Sequence, residues 1–266
     1  MFAIVKDVAL QTWPNEVVRL GSHGKPQPVI DVVAPLRELF YNNAIRRGTV
    51  MAISGSSGST SLLFALLSAP LDQNLWASVI GTSSLGLESA KSIGVDLRRL
   101  VIVPKPGNQL FEAAATLVDS IDLVVLCIEE YARDYFQPRA IRRITSKVRQ
   151  RGSVLILLSP LLRSSAPPAN GSSSRSQFSS DLSCKGNPLH AIWSEAIDIH
   201  LVTRTLEWHG LEAGHGTLHS RLIEVASIGR RAQSLERKIK IWLPSPEGTI
   251  ALADSPDLTD IPHALP

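Results

Sequence analysis

The sequence predicts an α/β protein: a mostly parallel sheet with helices on both faces, extended by antiparallel strands toward its C-terminal end. Three observations carry that prediction. Between residues 49 and 158, short apolar runs alternate with segments of helical periodicity, as parallel strands do with their crossover helices. Early in that stretch an apolar run passes through a Gly/Ser turn into an apolar helix pattern. Beyond residue 190, three strand-like segments follow one another across Gly-rich turns with no helix between them.

The elements read in order as follows. Residues 49–54 contain Val50-Met51-Ala52-Ile53, a continuous apolar run suited to a strand buried on both faces. The turn Gly55-Ser56-Ser57-Gly58 leads into a helix over 59–67. Strands over 76–81, 100–103, 121–128 and 153–158 are rich in Val, Ile and Leu, and helices over 85–93, 109–119 and 137–150 separate them. The C-terminal strands are 197–208, 221–228 and 238–243. This divides the chain into an N-terminal arm at 1–32, a core at 33–162, a Ser/Pro-rich flexible insertion at 163–189, a β extension of the same domain at 190–244 and a loose tail at 245–266. A short strand within 2–10 is free to dock in cis or in trans.

At 266 residues the chain can bury one sizeable core. Lys and Arg number 27 against 24 Asp and Glu, so net charge is a weak pointer to an anionic partner and local clustering must decide. Two cysteines, Cys127 and Cys184, are too few for a disulfide framework or a zinc site, and a reducing, cytoplasmic setting is expected. No run of membrane-spanning length and no signal peptide is read, so a soluble protein without membrane contact is expected.

The Gly/Ser turn has the outline of a phosphate loop without its charge. A working loop presents backbone N–H groups at a helix N-terminus and adds a lysine that reaches the β- and γ-phosphates. Here no lysine occurs between Lys25 and Lys91. With Gly58 as the second loop glycine, Ser59 stands at the lysine position and Thr60 at the magnesium hydroxyl; with Gly55 as the first, the lysine position is Ser61. The degenerate loop residues Gly55, Ser57, Gly58, Ser59 and Thr60 are therefore expected to serve strand-to-helix geometry, with bare nucleotide binding through the N–H groups of Ser57 to Ser61 as the alternative, and no cofactor is assigned.

The order of strand, loop and helix, then Trp76-Ala77-Ser78-Val79-Ile80-Gly81, then Ala90 through Gly94-Val95-Asp96 to Leu100, resembles the RecA recombinase core. More closely, Pro35-Leu36-Arg37-Glu38-Leu39-Phe40, Arg46-Arg47-Gly48, the loop itself, Trp208-His209-Gly210-Leu211, Gly214-His215-Gly216-Thr217-Leu218, Ser220-Arg221 and Trp242-Leu243-Pro244 are similar to the ImuA′ family, over residues 33–244. That family comprises RecA-like accessory proteins of the actinobacterial mutasome. The resemblance implies a RecA-like core and a non-catalytic adaptor role in damage-induced mutagenic translesion synthesis. It implies ImuB, the Y-family polymerase homologue, as partner, a specialised C-family polymerase indirectly, and RecA and DNA as further candidates. Cytoplasmic location, with nucleoid association after DNA damage, follows from the same resemblance.

A RecA-type ATPase also needs a carboxylate after its second core strand and an acid at the end of the magnesium strand. Those roles fall on Ser83 and Cys127, with Glu129 and Glu130 displaced by two or more residues. With lysine, base and metal carboxylate all absent, no catalytic residue is assigned. A partner-activated ATPase is the alternative from the enzyme class.

A second candidate site is basic: Arg139, Arg142, Arg143, Lys147, Arg149 and Arg151 occur in a stretch without acids. Positions 139, 143 and 147 share one helical face, flanked by 142 and 149, a stripe that can track DNA phosphates or meet a partner. A second basic run, from Arg230 to Lys240, reads equally as solvated arms of a β-turn. His209, His215 and His219 have no ligand spacing and read as turn residues, so no metal is assigned. Trp13, Phe40 and Tyr41 are candidate partner anchors and equally candidates to cap the sheet's own edge.

Overall fold

In a computed structural model of the chain, the structure describes residues 29–55, 57–128, 138–158, 193, 195–212, 215–229, 236–245 and 250–253. A two-stranded antiparallel ribbon, β1 (Val29–Asp31) and β2 (Ala44–Arg46), flanks a 3-10 turn at Ala34–Leu39. The main sheet is built from β3 (Val50–Gly55), β4 (Ala77–Ile80), β5 (Leu100–Val103), β6 (Leu123–Cys127), β7 (Val154–Leu158), β8 (Ile199–Glu212), β9 (His215–Gly229), β10 (Arg237–Trp242) and β11 (Ala251–Leu252). Among the described residues, the helices whose bounds are defined are α1 (Ser59–Asp72), α2 (Leu87–Ser92), α3 (Leu110–Leu117) and α4 (Pro138–Arg151).

The sheet order is β11-β10-β9-β8-β3-β7-β6-β4-β5. Pairings from β8 through β5 are parallel, and those of β8, β9, β10 and β11 with one another are antiparallel. The strands buried on both faces are those whose sequences run apolar without alternation, such as β3, β6 and β7. Two apolar clusters line the sheet. One joins α1 and α2 to Met51, Ile53, Val79 and Val125; the other joins α3 and α4 to Val50, Ala52, Val124 and Leu126. Alternate residues of each strand thus serve opposite faces, and helices cover both.

α1 is apolar on all sides because it is covered on all sides. Leu62 through Ser68 are buried without a break, between the sheet and a layer made by Ile30, Val32, Leu36, Leu39, Phe40 and Ile45. Each of its large apolar side chains contributes about 1.5–3 kcal/mol by burial. Pro70 lies inside its last turn, so α1 runs beyond the expected end at residue 67; a proline there removes one late N–H rather than breaking the helix.

Several expectations shift. Residues 29–32, assigned to a separate arm, place Ile30 and Val32 in the main core, and Phe40 is buried beside them, which leaves it no partner-anchor role. Tyr41 is 74% exposed under the Arg237 guanidinium, and Trp13 lies outside the described residues. Within the stretch expected as a loose tail, Ser245 is buried and β11 pairs with β10. The β8–β9 hairpin is longer than the 197–208 and 221–228 strands expected, because bulges between Thr205 and Glu207 and between His209 and Leu211 let the ladder continue past Gly210. The 2–10 strand, the 163–189 insertion, and Arg230 and Arg231 lie outside the described residues.

At the amino ends of the strands, polar groups tie the layers together. Arg47, between β2 and β3, pairs with Asp122 at 2.9 Å and donates to the Gly152 carbonyl, and the second Asp122 oxygen accepts from the Trp76 N–H. The Asp198 carboxylate accepts from the Val50 N–H at 3.0 Å, holding the start of β8 against β3.

Candidate functional site

The first turn after β3 lies at the carboxyl edge of the parallel strands, where open α/β sheets bind their ligands. Gly58 takes a left-handed φ of 84° as the cap of α1, which no side chain caps. Among the described residues, no partner receives the N–H groups of Ser59, Thr60 and Ser61; the first bonded amide is Leu62, donating to the Gly58 carbonyl at 2.8 Å. The helix therefore presents free donors and the positive end of its dipole at this edge.

β8 closes the loop from the side. β3 pairs with β8 up to Gly55 opposite Thr203, and β8 then runs on beside the loop. The Thr203 hydroxyl lies 2.8 Å from the Ser57 carbonyl oxygen and 3.3 Å from that of Ser54, and the Ser57 and Thr205 hydroxyls hydrogen-bond to each other. Gly55 is required here: its φ is 152°, and a Cβ would collide with both the hydroxyl and the carbonyl of Thr203. Ser54 is buried and shares a 2.7 Å hydrogen bond with His200. The loop is thus held in shape by the chain's own threonines.

The three charges of phosphoryl transfer have uncharged residues in their places. Ser59 opens α1 and Thr60 follows it, exposed. Ser83 lies exposed in the turn after β4. Cys127 ends β6, buried, and Glu129 and Glu130 are outside the described residues. Backbone donors alone can orient an oxyanion, but these positions supply no group to neutralise developing charge or to activate water.

One cation does reach the loop, from an element not assigned to it in the sequence reading. Arg221 of β9 is only 7% exposed; its Nη2 donates to Ser61 Oγ at 2.7 Å and its Nε to the Leu243 carbonyl at 3.3 Å. A Cβ on Gly58 would sit 3.6 Å from that Nη2. No carboxylate among the described residues pairs with Arg221, and burial pushes its pKa down. Trp208, directly opposite in the ladder, lies under the guanidinium at 5.3 Å and is 48% exposed. The bulge at Thr205/Glu207 puts Trp208 on the same face as Thr203 and Thr205. Parity along β9 offered one signal: Arg221, Ile223 and Val225 alternate on one side.

The basic stripe divides in two. Lys147 pairs with Asp119 at 2.6 Å and also donates to the Ala115 carbonyl, Arg151 pairs with Asp119, and Arg149 lies 3.7 Å from Asp198. These side chains fasten α4 to its neighbours. Arg139, Arg142 and Arg143 are exposed with no ion-pair partner among the described residues, and they occupy the end of α4 nearest the carboxyl edge of the sheet. Arg142 and Arg149 also line a cleft of about 300 Å³ with Ile141, Thr145 and Glu195. The expected continuous face of 139, 143 and 147 is therefore free only in its first half. His209, expected in a turn, lies in β8 beside Glu207 and edge-on to Trp242.

Residues 38–163, which hold the loop and α1 to α4, match the family model described as the MT3502 N-terminal domain. The chain is similar to a mycobacterial protein. Over 110 residues, 41% of its length, it is 36% identical to Uncharacterized protein Rv3395c of Mycobacterium tuberculosis (strain ATCC 25618 / H37Rv). That stretch amounts to 51% of the relative, so the chain spans about half the length of the curated relative it matches. The family match ends before β8 and β9, the strands that close the loop. Among the described residues, no helix is long and apolar enough to cross a membrane.

Proposed function

We propose that this chain is a non-catalytic RecA-like adaptor of damage-induced mutagenic translesion DNA synthesis, acting in the cytoplasm and at the nucleoid by binding ImuB. The observation that carries the reading is the loop. It has a phosphate loop's strand, left-handed glycine and helix, yet its shape is held by Thr203 and Thr205 and Ser59, Ser83 and Cys127 stand where charges are needed. A site of this kind supports a fold kept for its surfaces. The order of the ImuA′-like sequence blocks supports the choice of pathway and of ImuB.

Direct DNA binding is the second reading, favoured by Arg139, Arg142 and Arg143, which have no ion-pair partner among the described residues, at the loop edge of the sheet. Co-purification with ImuB, combined with nucleotide turnover and DNA retention assays on the same preparation, tests both. A stable complex with no turnover supports the adaptor; turnover that depends on ImuB supports the partner-activated ATPase instead.

A further inference from the structure

The β8–β9 hairpin carries a feature the adaptor reading does not use: a buried cation that, among the described residues, has no counter-charge, at a helix start that no side chain caps. Burying a lone guanidinium costs several kcal/mol after relaxation. Here the Arg221 guanidinium is held on Ser61 Oγ, beside the free N–H groups of Ser59, Thr60 and Ser61. Both features favour a negative group at one spot, and they come from different elements, β9 and α1. Thr60 is exposed and Ser59 and Ser61 are partly so, leaving the spot reachable.

Among the described residues, the exposed large hydrophobics are Tyr41, Leu206 and Trp208, and two of these three lie on β8 beside the loop, among the hydroxyls of Thr203, Thr205, Ser57 and Thr60. An aromatic ring and an arginine at the centre of a patch is the composition of an interaction hot spot. One guanidinium plus a helix end, about half a charge, matches one carboxylate better than a polyphosphate.

We propose that Arg221, the first turn of α1 and Trp208 form a docking point for an Asp or Glu side chain of a protein partner, with an adjacent apolar side chain packing on Trp208. The inference rests on the adaptor reading. It is tested with the full chain and purified ImuB, using Trp208→Ala and Thr60→Asp. The second substitution puts a carboxylate on the helix start itself, so it satisfies the site internally while keeping the fold. Each is expected to weaken the complex about tenfold, the loss of one hot-spot contact, with the melting temperature of Thr60→Asp unchanged or raised. Wild-type affinity in both variants overturns the inference and leaves the adaptor role standing.

If the wild-type chain forms no complex with ImuB, the adaptor reading falls and a second arm decides the inference. A capped peptide with one Glu between leucines is titrated against tryptophan fluorescence, beside its Gln counterpart and inorganic phosphate. Saturable quenching by the Glu peptide that Trp208→Phe removes supports the docking point. An equal response to Glu and Gln peptides, or a response to phosphate alone, overturns it.

Discussion

Gly55→Ala probes the contact on which the closed loop depends. The added Cβ meets the hydroxyl and the carbonyl oxygen of Thr203, and the backbone there holds a φ of 152°. Forcing an extra carbon into a packed site costs about 1–3 kcal/mol. Holding an L-residue in this backbone region costs about 1–3 kcal/mol more. The expected loss is about 2–6 kcal/mol, a large part of the 5–15 kcal/mol typical of a domain. At about 2–4 °C per kcal/mol, the melting temperature should fall by about 4–24 °C. Urea unfolding and thermal melting of wild type, Gly55→Ala, Thr203→Ala and the double variant measure this directly. Because the Thr203 carbonyl is part of the collision, Thr203→Ala should recover less than about half of the loss. A cost below about 1 kcal/mol for Gly55→Ala would show that β8 does not press on the loop, and the closed-loop account would fail.

Other expectations follow from the same structure. Asp122→Ala orphans the Arg47 guanidinium in a pair whose side chains are 9% and 10% exposed, so it should destabilise by about 3–5 kcal/mol in urea unfolding. A loss under about 1 kcal/mol would mean that water replaces the carboxylate. The Asp96 carboxyl is held below its ordinary pKa by its hydrogen bond to the Arg98 guanidinium, and it also caps the turn by accepting from the Arg98 N–H. A lowered folded-state value means stability that is present above the ordinary carboxylate range and lost as pH falls through the folded value. Asp96→Asn should therefore cost about 0.5 kcal/mol at neutral pH, discounted for exposure, and nothing in strong acid. An equal cost at both pH values refutes the pairing. Replacing Arg139, Arg142 and Arg143 with alanine should weaken DNA retention and flatten its salt slope, whereas Lys147→Ala should lower stability and leave retention unchanged. Equal effects on retention would contradict the division of the stripe.

The parallel core is legible in the sequence because each of its strands is buried on both faces and so reads as an unbroken apolar run. Val50 to Ile53 and Leu123 to Leu126 need no partner information to be recognised. The loop and the start of α1 are legible from Gly55, Gly58 and the apolar helix that follows. What closes the loop is not, because Thr203 lies 146 residues from Ser57 in the chain and only the β3–β8 register brings them together. Arg221 is a harder case. Strand alternation places it with Ile223 and Val225, but charge argues for solvent, and packing over Trp208 and onto Ser61 decides the matter. Trp208 itself reaches that face only through a bulge, which shifts the two-residue period and is invisible in a pattern of apolar positions. In α4 the run of bases is plain in the sequence, but the acids that engage its second half, Asp119 and Asp198, come from distant segments.

The central claim, that this fold works through its surfaces and not through nucleotide chemistry, is tested most directly by one paired measurement. The full chain is co-purified with ImuB with and without ATP, and its melting temperature is followed at millimolar nucleotide. The account predicts a stable complex that forms equally in both conditions and a melting temperature that nucleotide does not move. Failure to form the complex, together with a saturable ATP-dependent rise in melting temperature, would contradict it.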